Sequence, residues 1–343
     1  MRKLLNTLYV TDPDVFLSKE NNTVVAKKND EVIMRIPAIN LESIVCFNYL
    51  GASPYLMKLC VENNIGLCFL TPSGNFLARV TGKVNGNVLL RRTQYRIADE
   101  EEESLKISRI MIAGKIYNAR KVVERFKRDY VGKEDNAQVQ ALSRQLDRCQ
   151  RLALKAATTE MLRGLEGEAA LLYFSMFDQM IVAQKESFKF MGRNRRPPKD
   201  RVNCLLSFCY TLLAHEVQSA LETVGLDPYV GFLHTDRPGR PGLALDMMEE
   251  LRSYMADRMV LTLINKRQVS HHDFIENGAN NIVMTDSCKR KVLSAWQKRK
   301  KETANHPFLN EKVTIGLFPY IQAMLLARHI RGTIEKYPVF LIQ

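Results

Sequence analysis

Two glycines bracket an acid in Gly164-Leu165-Glu166-Gly167-Glu168-Ala169-Ala170, just ahead of an apolar helical run. Glycine there weakens a helix but permits close backbone packing or close approach of another group. Glu166 reads either as a carboxylate favoured by a helix N-terminus or as a functional acid, with Glu168 as its rival. A second stretch ends in Val230-Gly231-Phe232-Leu233-His234 and runs into the turn-rich Asp236-Arg237-Pro238-Gly239-Arg240-Pro241-Gly242. The chain then enters Leu243-Ala244-Leu245-Asp246-Met247-Met248-Glu249-Glu250-Leu251-Arg252, where helical spacing puts Asp246 on one face with Glu249 and Glu250. Carboxylates crowded beside an apolar histidine are unfavourable unless a cation or an arginine compensates them. His234 alone reads as a satisfied structural residue or as a ligand. One imidazole with carboxylate oxygens and no thiolate suits Mg²⁺ or Mn²⁺ better than structural zinc. Such an ion polarises a phosphoryl oxygen and lowers the pKa of an attacking water or hydroxyl. Spacing does not by itself join Glu166 to acids about 80 residues further on.

Other chemistries lack their signatures. There is no phosphate-cradling G-x-x-x-x-G-K-[ST] loop, no G-x-G-x-x-G and no nucleophile elbow. His215-Glu216 begins like a zinc-protease helix, but position 219 is Ser219, so the second histidine is missing. The charge points to a polyanion instead. The formal net charge is +13, and residues 1–100 carry 12 Lys/Arg against 9 Asp/Glu, leaving 38 against 28 in the remainder. Arg193, Arg195, Arg196, Lys199 and Arg201 cluster around Pro197-Pro198, which makes that run a loop. Lys289-Arg290-Lys291 and Lys298-Arg299-Lys300-Lys301 form a second cluster around Trp296. Either run alone reads as a solvated face; together, in so basic a chain, they favour contact with DNA phosphates and a steep salt dependence.

The elements that must position these groups divide in two. Residues 1–85 read as β-rich, with strands over 15–18, 23–26, 32–36, 44–47, 66–70 and 76–80. Asn21-Asn22 and Asn29-Asp30 are suited to tight hairpins, and Ser53-Pro54 opens a short helix over 53–62. Beyond them, apolar spacing predicts helices over 104–130, 137–158, 168–182, 202–224, 247–263, 289–300 and 313–330. The boundary falls near 85–102. The seven cysteines form no C-x-x-C pair and read as reduced thiols of a cytoplasmic protein. No apolar stretch approaches a membrane span, no signal peptide opens the chain, and no membrane partner is expected.

Four segments in fixed order resemble one family. They are the run 162–170 around Glu166, the run from Arg196-Pro197-Pro198-Lys199-Asp200-Arg201 to Leu213, the run 226–234 ending in His234, and the run 243–252. The chain resembles, over nearly its whole length, the CRISPR-associated adaptation endonuclease, the integrase subunit that inserts new spacers into CRISPR arrays. That resemblance implies an α+β, multidomain fold: an N-terminal β-sandwich-like domain over 1–87, a linker or first helix over 88–102 and a larger all-α catalytic domain over 103–343. It implies Glu166, His234 and Glu249 as catalytic residues and as ligands of Mg²⁺ or Mn²⁺. Asp246 is their neighbour or an alternative ligand, since many relatives carry Asp where this chain has Glu249. It further implies a homodimer formed through the β domain, a small companion CRISPR adaptation protein, and double-stranded and branched DNA as substrate. The implied reaction joins a fragment's 3′-hydroxyl to a repeat-end phosphodiester. A structure-specific DNA repair nuclease with the same metal residues, a non-catalytic DNA-binding scaffold and a peripheral membrane protein are the rival readings. The last calls for an amphipathic helix with a large exposed apolar face, and none is evident.

Overall fold

A computed structural model describes residues 6–48, 50–71, 76–82, 87–130, 136–194, 197–278 and 281–343. The N-terminal part holds β1 (Thr7–Val10), β2 (Val15–Glu20), β3 (Thr23–Lys28), β4 (Glu31–Pro37), β5 (Ser43–Cys46), α1 (Pro54–Glu62), β6 (Gly66–Leu70) and β7 (Phe76–Val80). Strands β2, β3 and β4 form an antiparallel meander. Its turns fall at Asn21 (φ 51°) and at Asn29 and Asp30 (φ 49° and 64°), the left-handed geometry that asparagine tolerates. A second sheet runs β1-β5-β6-β7, parallel except for β6 with β7. Leu17, Val24, Ile44, Leu56 and Leu67 fill the space between the sheets and α1.

Alternation along β5 couples this part to the rest. Ile44 and Cys46 face the inter-sheet core, whereas Val45 and Phe47 belong to the core of the helical part. The strand is buried on both faces, and its continuous apolar sequence reflects that.

The remainder is built from α2 (Val88–Asp99), α3 (Glu101–Tyr130), α4 (Asn136–Ala153), α5 (Thr159–Ser175), α6 (Arg201–Val224), α7 (Gly242–Arg252), a π-helical turn (Ser253–Asp257) and α8 (Arg258–Asn265). Then follow β8 (Phe274–Glu276), β9 (Ile282–Met284), α9 (Asp286–Lys301), β10 (Thr303–His306), β11 (Glu311–Thr314) and α10 (Phe318–Ile330). The long α3 packs on α4, α5 and α7 and is the scaffold of the site.

Four expectations need correction. The domain is not all-α: β8 pairs with β9 and β10 with β11, in hairpins that turn on Gly278 (φ 43°) and Asn310 (φ 52°). Strands of three or four residues are too short to show a period. The single helix expected over 247–263 is interrupted by the π-helical turn, and the one over 313–330 starts only at Phe318, with Pro319 in its first turn. Helix α5 begins at Thr159 rather than near Glu168. Thr158 caps it by accepting from the Met161 N–H at 3.2 Å, and Leu162, Leu165, Ala169 and Tyr173 keep one buried stripe through both glycines.

Candidate functional site

Glu166 therefore sits inside α5, not at its mouth. A Cβ added at Gly164 or Gly167 would meet nothing within 4 Å. The two glycines are not there for close packing; they leave the surface beside Glu166 open to an incoming group. Helix propensity then predicts that Gly167→Ala raises stability by about 0.5–1 kcal/mol, read as an upward shift of the urea midpoint. A downward shift would show the glycine to be held by contacts.

Facing that surface, Lys115 of α3 extends its ammonium between two acids. Its Nζ pairs with Glu166 Oε1 and lies 2.7 Å from Glu249 Oε2. The two glutamates, on α5 and α7, thus meet across one positive charge. Glu249 is 7% exposed and is also gripped by Arg252, whose Nη1 donates to both carboxylate oxygens at 2.7 Å. Burial opposes the charge on Glu249, but Arg252 and Lys115 outweigh it and hold its carboxyl well below the usual range. The Arg252 guanidinium is itself fixed over the Tyr210 ring, 4.1 Å from its centroid. Tyr210 and Tyr173 donate to the two oxygens of buried Asp257, at 2.5 and 3.1 Å, which ties α5 and α6 to the π-helical turn.

His234 is placed by Asp246, which is 1% exposed. Asp246 Oδ2 accepts from the Phe232 and Leu233 N–H groups at 2.6 and 3.0 Å. Its Oδ1 accepts from the His234 N–H at 3.1 Å and meets His234 Nδ1 at 2.5 Å. With Nδ1 donating to a carboxylate, the lone pair lies on Nε2, the arrangement found in metal-ligating histidines. The loop reaches Asp246 only because it crosses the start of α7 at two glycines. A Cβ on Gly231 would lie 2.7 Å from Gly242 C, and one on Gly242 would lie 2.8 Å from Tyr229 O.

The structure brings Glu166 and Glu249 together and attaches His234 to α7 one turn ahead of Glu249. Among the described residues, no three His, Cys, Asp or Glu side chains are gathered about one point. Asp246 has all its described contacts with the 232–234 segment, so its place is that of an organiser. Sequence reasoning missed Lys115 and named Arg252 only within its segment. Lys115 had a signal: Ile112, Ala119 and Val122 share its helical stripe and are buried, so a charge there needs a partner.

The expected DNA contacts divide. Lys199, Arg290 and Lys298 are exposed, whereas Arg195 and Arg196 lie outside the described residues. Arg193 donates to Asn203 Oδ1 and Ser207 Oγ, and Arg201 to Ser187 O. Lys289 pairs with Asp286 at 3.0 Å, and Arg299 with Glu302 at 2.7 Å. Arg299 also borders a groove shared with Arg125, Arg258 and Lys298. Burial, then neighbouring Arg299 and Arg125, push Arg258 down to about 10. Arg125 and Arg258 had not been singled out from the sequence. Among the described residues, no helix is long and apolar enough to cross a membrane.

A β-strand part joined to a helical part has a counterpart among solved structures. The fold is similar to that of a Cas1 protein from Thermotoga maritima, with a TM-score of 0.81 at 24% identity over 98% of this chain and 100% of that one. It is equally similar to a casposase bound to integration product, with a TM-score of 0.81 at 20% identity over 97% and 92% of the two chains. The model of the family described as CRISPR associated protein Cas1 matches residues 8–298. A Chlorobaculum tepidum protein named CRISPR-associated endonuclease Cas1 1 is 48% identical over 340 residues, 99% of each chain. This chain belongs to the CRISPR-associated Cas1 family.

Proposed function

We propose that the chain is a metal-dependent DNA endonuclease and integrase that inserts short foreign DNA fragments into CRISPR arrays. The observation that carries this reading is the convergence of Glu166 and Glu249 on one positive charge, beside an open surface, in a member of the Cas1 family. Carboxylate and imidazole donors without thiolate fit a hard divalent cation, and Glu166, His234 and Glu249 would hold Mg²⁺ or Mn²⁺. When bound, such an ion supplies Lewis acidity to the scissile phosphate and acidifies the attacking hydroxyl.

The protein's own groups do the rest. Asp246 fixes the tautomer and direction of His234, and Arg252 holds Glu249 charged and in place. The glycines of α5 admit a DNA backbone beside Glu166, and the cationic groove near Arg258 and Lys298 takes its phosphates. In the reaction, the fragment's 3′ oxygen forms a P–O bond while the bond to the repeat's leaving 3′ oxygen breaks. One proton passes from attacking to leaving oxygen, and bond number is conserved, so no nucleotide is consumed. Edge strand β4 supports the homodimer: it exposes Val32, Ile33 and Met34, an apolar strip of the kind a partner covers. The small companion protein is part of the same proposal.

The test is cleavage and half-site strand transfer on supercoiled DNA carrying the cognate repeat, with Mn²⁺ and the companion present. Glu166→Ala is expected to lose at least about 100-fold in rate while DNA binding persists. Full activity in that variant would overturn the metal reading. Cleavage of branched DNA without array insertion by the parent would favour a repair nuclease.

A further inference from the structure

The proposed function leaves Lys115 without a role of its own, and its position is unusual. It is a cation, 14% exposed, rising from a helix face whose other residues are mostly buried and uncharged. Its ammonium pairs with one oxygen from each of Glu166 and Glu249, the two acids assigned above to a divalent ion. We propose that Lys115 is a built-in competitor for the divalent cation: its ammonium and the ion are alternative occupants of the Glu166–Glu249 pair, so Lys115 sets the concentration at which the centre loads. This rests on the metal reading of the preceding subsection.

Charge and chemistry carry the argument. With Lys115 in place, two carboxylates face two cations, Lys115 and Arg252, and the group is neutral. A divalent ion added to the same oxygens would stand beside an ammonium at ion-pair distance, where like charges repel strongly in a partly buried setting. Arg252 is not the group that yields, since both its contacts with Glu249 and the ring of Tyr210 fix its guanidinium. Lysine is different: a compact charge on a flexible four-carbon stem can withdraw while its helix stays put. The same view explains why three ligands are not gathered about one point, since Glu166 and Glu249 are drawn onto Nζ instead.

Competition predicts a sign that structural damage does not. In the full-length protein, Mn²⁺ binding measured by titration calorimetry or by the EPR signal of free ion is expected to tighten about 5- to 150-fold in Lys115→Met, the usual size of the coupling between two linked interactions. In EDTA the same variant is expected to melt below the parent, because the acids have lost a counter-charge, and to recover more than the parent does on adding Mn²⁺. Lys115→Gln, which keeps hydrogen bonding but not the charge, is the second variant and is expected to tighten Mn²⁺ binding likewise. If the parent binds Mn²⁺ and both variants bind it no more tightly, the competition is overturned while the metal reading stands. If parent and both variants bind no Mn²⁺, the metal reading fails and the inference with it. Tight binding confined to the variants supports competition in its strongest form.

Discussion

Asp246→Ala is expected to cost the fold about 3–5 kcal/mol, and Asp246→Asn to lower metal-dependent DNA processing about 10- to 100-fold with a smaller loss of stability. The Ala change strands the buried backbone N–H groups of Phe232 and Leu233, the half-buried one of His234, and the His234 ring. Asn presents one acceptor and one donor in place of two acceptors, so its orientation matters. With the NH₂ at the Oδ2 position, the Phe232 and Leu233 N–H groups both lose their acceptor. With the NH₂ at the Oδ1 position, only the His234 N–H does, at about 1–3 kcal/mol, while the ring nitrogen accepts. The second orientation costs less, and it reverses the ring: Nδ1 becomes the acceptor and Nε2 carries the proton. A protonated Nε2 cannot ligate. The check is urea unfolding of both variants, with strand-transfer rates and the ¹⁵N shifts of the His234 ring in Asp246→Asn. Parent-like rates in that variant would remove Asp246 from the mechanism.

The local half of this arrangement was legible in the sequence. The 243–252 segment showed acids that need compensation, and Arg252 within it supplies that for Glu249, whereas Asp246 turns to the 232–234 backbone and Glu250 to the C-terminal segment. The Asn-containing hairpins of the first sheet were equally plain, because left-handed residues between short apolar runs have few other uses. The joins between distant segments were not. Glu166, Lys115 and Glu249 come from α5, α3 and α7, and no periodicity within one helix reports which other helix it faces. The start of α5 was misplaced because glycine was weighed by propensity, whereas Thr158 and a buried stripe decide the matter. Lys115 carries a fainter signal than the acids and the histidine, a lone charge among Ile112, Ala119 and Val122. Family resemblance supplied the pairing of Glu166 with Glu249, and the structure adds the cation between them.

Glu250→Gln is expected to make the protein more stable than the parent at pH 8, by about 3 kcal/mol, and nearly equal to it at pH 5. Glu250 adjoins Glu249 but faces away, into a fully buried pocket closed by the C-terminal segment. Its Oε2 accepts from the Phe340 N–H at 2.6 Å and from Gln322 Nε2 at 3.0 Å, and its Oε1 accepts from the Tyr337 hydroxyl. Asn118 of α3 fastens the same segment, donating to Phe340 O at 2.8 Å and accepting from the Ile342 N–H at 2.8 Å. Among the described residues, no cation faces Glu250 as Lys115 and Arg252 face Glu249. Burial therefore prevails over the hydrogen bonds from Tyr337, Phe340 and Gln322 and pushes its carboxyl up from 4.5 to about 7. A carboxyl whose folded value is raised binds its proton more tightly in the native state. Its contribution is complete below about pH 4.5 and is lost as pH rises through about 7. Gln imitates the protonated acid, keeping an acceptor for Phe340 and Gln322 and offering a donor to the phenol oxygen, so it escapes that loss. The hold of the C-terminal segment on α7 is preserved, and DNA processing by Glu250→Gln should match the parent at neutral pH. Urea titrations of both proteins at pH 5 and pH 8 decide the matter, and a Gln variant less stable than the parent at pH 8 would show that the carboxylate's charge is satisfied in this pocket after all.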